Sequence, residues 1–469
     1  MTGSPPYDGA PDVVCLGESM VTFLPTRPGR LADVPSFERA IGGAESNVAC
    51  ALAAAGHRAK WVGRVGRDGF GTYLTEAIGG WGVDVSAVVR DPERPTGVYF
   101  RTATDRAAEA HEVVYYRAGS AASAMGPATV PYELVAGGRI LHLTGITAAL
   151  SASCLALLHE LTAPRAGRPL VSFDVNFRPG LWADPAAGGR VLMDLARRAD
   201  LVFVGADEAA AAWGLDDPGA IRAALPEPAV LVVKRGAEGA TLYERGPTDR
   251  PAAPATAGAT ASGGAGAADG PGPAQGPGAT DGPGPAQGPG VADGPGVADG
   301  SGPGTGAAEG PGVADGGGSR TRPADGPRVA DGSGAGLRTR AADGPGVADG
   351  SGAGLRTRAA DGPGSRPRTG APDTVTHVPA PRVDVVAPVG AGDAFAAGFL
   401  SGTLRGLDAT GRLRHGHLMA AAALTVPGDL AAPARRAHAD RLAAADDSAW
   451  ETLHLGPGWT GEDQEVRTP

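Results

Sequence analysis

Between residues 246 and 372 the chain carries 36 glycines, no aromatic residue and only seven valines or leucines. A stretch of that composition cannot bury enough apolar surface to offset its ordering entropy, so it is expected to be a disordered insertion outside any core. Within it, Val329 to Gly346 recurs unchanged as Val347 to Gly364. The repeat is too poor in apolar side chains to stack as a solenoid and reads as flexible coil. Strand-like segments flank the tract at 240–244 and 374–378, which places it where a hairpin turn would be. By the logarithmic loop-closure law, so long a turn costs only about 3 kcal/mol more than a short one. What remains is about 340 of the 469 residues, enough for one large α/β domain. The expected divisions are a tail at 1–11, a first core segment at 12–245, the insertion at 246–372, a second core segment at 373–455 and a tail at 456–469.

A formal net charge of −10 leaves no basic field for a nucleic-acid partner, although small anions can still be bound locally. No run of eighteen apolar residues occurs, and the first residues lack both a basic start and an apolar stretch, so membrane insertion and secretion are not expected and the chain reads as cytoplasmic. Cys15, Cys50 and Cys154 are odd in number and widely spaced, which suggests neither a disulfide framework nor a zinc knuckle. The only lysines are Lys60, followed by Trp61, and Lys234, followed by Arg235, so a G-x-x-x-x-G-K-[ST] phosphate loop is excluded. The dinucleotide fingerprint fails too, because Gly390-Ala391-Gly392 runs into Asp393-Ala394-Phe395 with no third glycine.

Val13-Val14-Cys15-Leu16 reads as a buried strand, residues 44–55 as a helix closed by Gly56, 61–65 as a strand, 73–78 as part of a helix, and 140–143, 171–173 and 201–204 as further strands. That alternation predicts a mostly parallel sheet flanked by helices. Residues 98–102 and 112–117 are extended with no helix between them, which predicts an antiparallel flap standing off the main sheet and able to cover a site.

The segment Val389-Gly390-Ala391-Gly392-Asp393-Ala394-Phe395 carries the most chemistry. Its small residues let the backbone turn into a helix whose first N–H groups lack internal partners and converge where anionic charge develops. Asp393 beside those donors is poorly placed to bind phosphate and well placed to take a proton from a hydroxyl. The same segment also fits a glycine-rich turn whose Asp caps a helix.

This turn resembles the second signature of the ribokinase-like, PfkB-type carbohydrate kinases. Gly42-Gly43-Ala44-Glu45-Ser46-Asn47-Val48-Ala49 resembles their first signature, continued by Val62-Gly63-Arg64-Val65-Gly66-Arg67-Asp68-Gly69. Asp174-Val175-Asn176-Phe177-Arg178 and Lys234-Arg235-Gly236-Ala237-Glu238-Gly239 follow in the family's order. Tyr115-Tyr116-Arg117 is similar to the hallmark of the branch acting on 2-dehydro-3-deoxygluconate, where a planar guanidinium fork suits a substrate carboxylate. Aromatic strand packing with a solvated Arg fits those residues as well.

The resemblance implies a ribokinase-like α/β fold with a small β-sheet lid, and transfer of the ATP γ-phosphoryl to the terminal hydroxyl of 2-dehydro-3-deoxy-D-gluconate. It implies Asp393 as general base and Arg178 between sugar and phosphoryl. Sugar contacts would come from Gly43, Ala44, Glu45, Ser46, Asn47, Tyr99, Tyr115, Tyr116, Arg117, Arg178 and Asp429. Nucleotide contacts would come from Asn176, Phe177, Arg178, Lys234, Arg235, Gly236, Ala237, Glu238, Gly239, Gly390, Ala391, Gly392 and Asp393. Glu208 would help place Mg²⁺ through water, although Gly205 stands where the family's Asn-x-x-Glu element has its Asn. Ala387 replaces an acid that in relatives supports a monovalent-cation site. A homo-oligomer formed through the lid is expected by analogy alone. The alternatives are a kinase for the galactonate epimer, fructose or 5-dehydro-2-deoxygluconate, or a non-catalytic sugar-binding protein.

Overall fold

The structure, a computed structural model, describes residues 9–102, 112–246 and 372–461. The expectations for the insertion and for most of both tails therefore fall outside the described residues. In chain order the strands of the two large sheets are β1 (Val13–Leu16), β2 (Met20–Pro25), β3 (Phe37–Gly42), β4 (Ala59–Val62), β5 (Val98–Arg101), β6 (Val113–Tyr116), β7 (Ile140–Thr144), β8 (Leu170–Asp174), β9 (Leu201–Gly205), β10 (Val230–Lys234), β11 (Ala240–Arg245) and β12 (Asp373–Val378). The main sheet is ordered β12-β11-β10-β9-β8-β7-β1-β4. Neighbours from β4 to β10 run parallel, and β11 and β12 add an antiparallel edge.

The parallel strands are buried on both faces, which explains why they read as unbroken apolar runs. Val13 and Cys15 turn toward a layer containing Trp61, Phe399 and Leu418, whereas Val14 and Leu16 turn toward another containing Leu141, Phe173 and Leu231. Four helices bear on the carboxyl edge of the sheet or its support: α1 (Ala44–Ala54), α2 (Ala206–Trp213), α3 (Ala391–Leu404) and α4 (Ala409–Leu424). Helix α3 packs between α1 and α4 in the first layer, where the Phe395 and Phe399 rings lie edge-on to Phe203 of β9.

The expected antiparallel flap is present as β5 and β6, but it belongs to a four-stranded sheet ordered β3-β2-β5-β6. Strands β2 and β3 escaped the sequence reading: Phe37–Gly42 is mixed and partly exposed and offers no apolar run, whereas Met20–Pro25 did carry a usable one. The single strand expected over 61–65 is a second correction. The chain breaks at Gly63, where a β-carbon would meet the Trp61 ring, and Arg64–Gly66 pairs instead with Val89–Asp91 in a small separate sheet.

Strands β11 and β12 form the expected hairpin, with Arg245 opposite Asp373 and Glu244 opposite Thr374. The two strand ends are thus adjacent across the sheet where the long tract leaves and returns. Excising residues 247–371 and closing this turn with a few residues is expected to leave turnover intact and to hold or raise the melting temperature, since loop-closure entropy falls. A lost fold or lost turnover in the shortened chain would refute that expectation.

Because the parallel strands point one way, the carboxyl ends Leu16, Thr144, Asp174, Gly205 and Lys234 gather along one edge of the sheet. Open α/β sheets take their ligands at that edge.

Candidate active site

A cavity of about 600 Å³ opens at this edge beneath the smaller sheet. Asp174, Asn176, Arg178 and Lys234 line it from the main sheet; Tyr99, Tyr115 and Arg117 line it from the smaller one. Gly43, Ala44 and Asn47 enter from the start of α1, and Gly390, Gly392 and Asp393 from the start of α3. Motifs at opposite ends of the chain meet here, with Asn47 Nδ2 donating to Asp393 Oδ2 at 3.0 Å.

The turn into α3 depends on Gly390, whose φ is +80° and where a β-carbon would overlap the Asp429 carbonyl. Gly390 is the helix N-cap and no side chain caps this end, which answers the alternative reading of Asp393 as a capping residue. The opening N–H groups of α3 precede the first intrahelical bond, from Ala394 N–H to the Gly390 carbonyl, and so face the cavity edge without helical partners. Asn176 is the one non-glycine residue described with positive φ, at 41°, a strained backbone position held beside the site.

Charge is arranged in pairs. Lys234 Nζ lies 2.8 Å from Asp174 Oδ2, and Arg178 Nη1 donates to Glu208 Oε1 at 2.9 Å. Arg117 pairs with the buried Glu18, and Arg101 Nη2 donates to Asp429 Oδ1 at 2.7 Å. Burial alone would push Lys234 down, but Asp174 and Glu208 outweigh it and hold its ammonium above the ordinary lysine value. Among the described residues, Asp393 is the one cavity carboxylate without an ion-pair partner. Burial pushes its pKa up to about 7, against the bond from Asn47; nearby Asp174 adds to the rise, and Lys234 and Arg178 oppose it.

Of the residues expected to touch sugar, Gly43, Ala44, Asn47, Tyr99, Tyr115, Arg117, Arg178 and Asp429 line the cavity. Glu45 and Ser46 do not. Glu45 is wholly buried, accepting from Thr144 Oγ1 at 2.8 Å and Thr147 Oγ1 at 2.7 Å, and burial raises its pKa to about 7. Ser46 donates to the Gly43 carbonyl at 3.0 Å and lies within reach of Ser19. Tyr116 is 64 % exposed and stands against Phe100, on the face of β6 opposite Tyr115, because side chains alternate along a strand. Asp429 reaches the cavity with both oxygens engaged, by Arg101 and by Tyr99 Oη at 2.7 Å.

Of the residues expected to touch nucleotide, Asn176, Arg178, Lys234, Gly390, Gly392 and Asp393 line the cavity. Arg235, Gly236 and Glu238 line an adjoining groove with Asp207 and Asp216, and Lys234 belongs to both. Ala237 and Gly239 sit in the same tight turn without lining either space, Ala391 opens α3, and Phe177 is buried in the second core layer. Glu208, at the start of α2, also accepts from Gly205 N–H at 3.1 Å. No group of three or more His, Cys, Asp or Glu able to hold a metal ion occurs among the described residues, and none of their helices is long and apolar enough to cross a membrane.

The sequence reading missed Glu18, Asp174 and Arg101. Asp174 had a usable signal, a carboxylate closing an apolar strand. Glu18 and Arg101 had none, since their roles depend on partners far away in the chain.

The profile described as pfkB family carbohydrate kinase matches residues 10–266 and 368–435. The chain is 36% identical over 247 residues to a 2-dehydro-3-deoxygluconokinase of Thermoproteus tenax, covering 52% of this chain and 75% of that one. It is 39% identical over 233 residues to the protein of that name from Bacillus subtilis, covering 49% and 71%. Among solved structures, a PfkB protein from Polaromonas sp. JS666 superposes with a TM-score of 0.57 at 26% identity, over 93% of this chain and 100% of that one.

Proposed function

The chain belongs to the pfkB family of carbohydrate kinases, and from that premise we propose that it transfers the γ-phosphoryl of ATP to the terminal hydroxyl of 2-dehydro-3-deoxy-D-gluconate. The observation that carries this reading is a single carboxylate without an ion-pair partner, Asp393, lining one cavity with the uncapped start of α3 and with Tyr99, Tyr115 and Arg117 of the lid. The likeness to the two 2-dehydro-3-deoxygluconokinases supports the choice of acid.

In this reading ATP lies along the Lys234 to Glu238 groove with its terminal phosphoryl at the α3 turn. The turn's N–H groups stabilise the equatorial oxygens, and Arg178, held by Glu208, adds positive charge beside them. Asp393 accepts the hydroxyl proton, and a pKa of about 7 is well matched to that task near neutrality. Asn47 fixes one oxygen of the base and leaves the other for the substrate hydroxyl. The described residues form no metal cage, and Glu208 is committed to Arg178 and Gly205, so magnesium would be carried by the ATP phosphates with Glu208 reaching it at most through water.

A substrate carboxylate would meet Arg117 on the lid, where it must share the guanidinium with Glu18. A coupled ADP assay across sugar acids and neutral ketoses tests the assignment, with 2-dehydro-3-deoxygluconate expected to give the highest kcat/KM. Preference for fructose over every acid would overturn the role given to Arg117. The double variant Glu18→Gln/Arg117→Met, which removes both charges together, should lower kcat/KM for the acid by roughly 10- to 100-fold and affect fructose far less. Equal losses for both sugars would show that Arg117 does not read the carboxylate.

A further inference from the structure

Glu45 is a buried carboxyl that the proposed transfer does not use. It leaves the first turn of α1 and ends where three other elements meet. Its Oε1 accepts from Thr144 Oγ1 at the end of β7 and from Thr147 Oγ1 in the short helix Gly145–Leu150, and a β-carbon at Gly17, just past β1, would overlap it. Its Oε2 has no hydrogen-bond partner among the described residues. A buried carboxyl so incompletely satisfied costs stability that an apolar side chain of similar size would not, so what it contributes is direction. Two positions further along α1, Asn47 donates to Asp393 at 3.0 Å. Residues two apart on a helix point to nearly opposite sides, so Glu45 grips the core flank of the first turn while Asn47 reaches the cavity from the other. No side chain caps that turn, whose N-cap is Gly43.

We propose that Glu45 is a positioning residue that fixes the rotation of α1 about its axis and thereby holds the Asn47 amide on Asp393. Thr144 and Thr147 both donate to one oxygen and the Gly17 main chain closes in beside the carboxyl, so the carboxyl has one seat and the turn that carries it one orientation. Ser46, between the two, adds a further tie to Ser19. Were α1 to turn, the amide would leave Asp393, whose charged form that bond favours. Asp174, Lys234 and Arg178 face Asp393 whether or not the amide is there, and Glu18 and Cys15 face Glu45 itself. Loss of Glu45 therefore moves the Asp393 pKa upward. Loss of a nearby negative charge alone would move it down, so the direction separates anchoring from simple electrostatics. The inference deepens the kinase reading in its rate arm, whereas the ligand-free titration of Asp393 stands apart from it.

The test is a double-mutant cycle in the full chain, read by carbon-13 NMR titration of the ligand-free protein, with the Asp393 carboxyl assigned by its absence in Asp393→Asn. Glu45→Ala and Asn47→Ala should each raise the Asp393 pKa by about one unit, the scale of one charge-assisted hydrogen bond. The double variant Glu45→Ala/Asn47→Ala should go no further than Asn47→Ala alone. Additive shifts, or a downward shift in Glu45→Ala, would overturn the proposal whatever the substrate proves to be. Glu45→Gln keeps an oxygen for both threonines and should stay within about 0.3 units of the wild type. A shift there as large as in Glu45→Ala would show that charge and not the anchor matters, and would overturn it as well. Thr147→Val removes one donor at similar volume and decides the matter if Glu45→Ala does not fold: an upward shift that vanishes once Asn47 is also replaced supports the anchor, and no shift contradicts it. In turnover, the acid limb of kcat/KM should move to higher pH in Glu45→Ala and return in Glu45→Gln. An acid limb that ignores a shifted Asp393 would count against Asp393 as the base and not against the anchor.

Discussion

Asp393→Asn is expected to lower turnover by about 10³-fold or more, the range of a lost general base, while sugar and ATP still bind. An unchanged rate would place the base elsewhere. The same substitution should stabilise the ligand-free protein at alkaline pH. In the folded chain the carboxyl has its pKa raised by burial to about 7, against an ordinary 3.8, so the folded state holds the proton more tightly than the unfolded one. Its opposition to folding is absent below pH 4, grows as pH rises toward 7 and is complete above it, with an upper bound of about 4 kcal/mol from linkage. An amide carries no such penalty. The melting temperature of Asp393→Asn should therefore exceed that of the wild type at pH 8, by a margin that shrinks toward pH 5. A margin constant across that range would mean that the carboxylate is not the source.

Lys234→Met is the second large effect. It strands Asp174, almost fully buried at the end of β8, without its cation. Breaking a buried pair by removing one partner destabilises by about 3–5 kcal/mol, whereas removing both charges is far milder. Lys234→Met/Asp174→Asn should thus recover most of the lost stability in denaturant melts. It should not recover turnover, because Lys234 faces both the cavity and the adjoining groove. Full activity in the double variant would mean that the pair is purely architectural.

Local pattern made much of this molecule readable. The largely apolar runs at 13–16, 140–143 and 201–204 predicted buried parallel strands, and all three are interior strands of the sheet. Gly390-Ala391-Gly392-Asp393 was readable because a turn at positive φ and uncapped N–H groups are properties of a few consecutive residues. Pairings across the chain were not. Glu18 with Arg117, Asp174 with Lys234 and Arg101 with Asp429 each join segments that only the folded sheet brings together. Glu45 and Tyr116 sit beside true cavity residues in the sequence, yet helix rotation and strand alternation send them into the core and outward. The first signature thus proved half lining and half scaffold. Its Asn47 reaches Asp393 from α1, while Glu45 ties the same helix to Thr144 and Thr147.

The most direct test of the odd carboxylate is the pH dependence of kcat/KM for the preferred sugar, measured for the wild type and for Asp393→Asn. The wild-type value should fall tenfold per unit on the acid side of an inflection near pH 7, and the small residual rate of the variant should lack that limb. The same acid limb in both proteins would contradict the account, because the proton being titrated would then belong to another group.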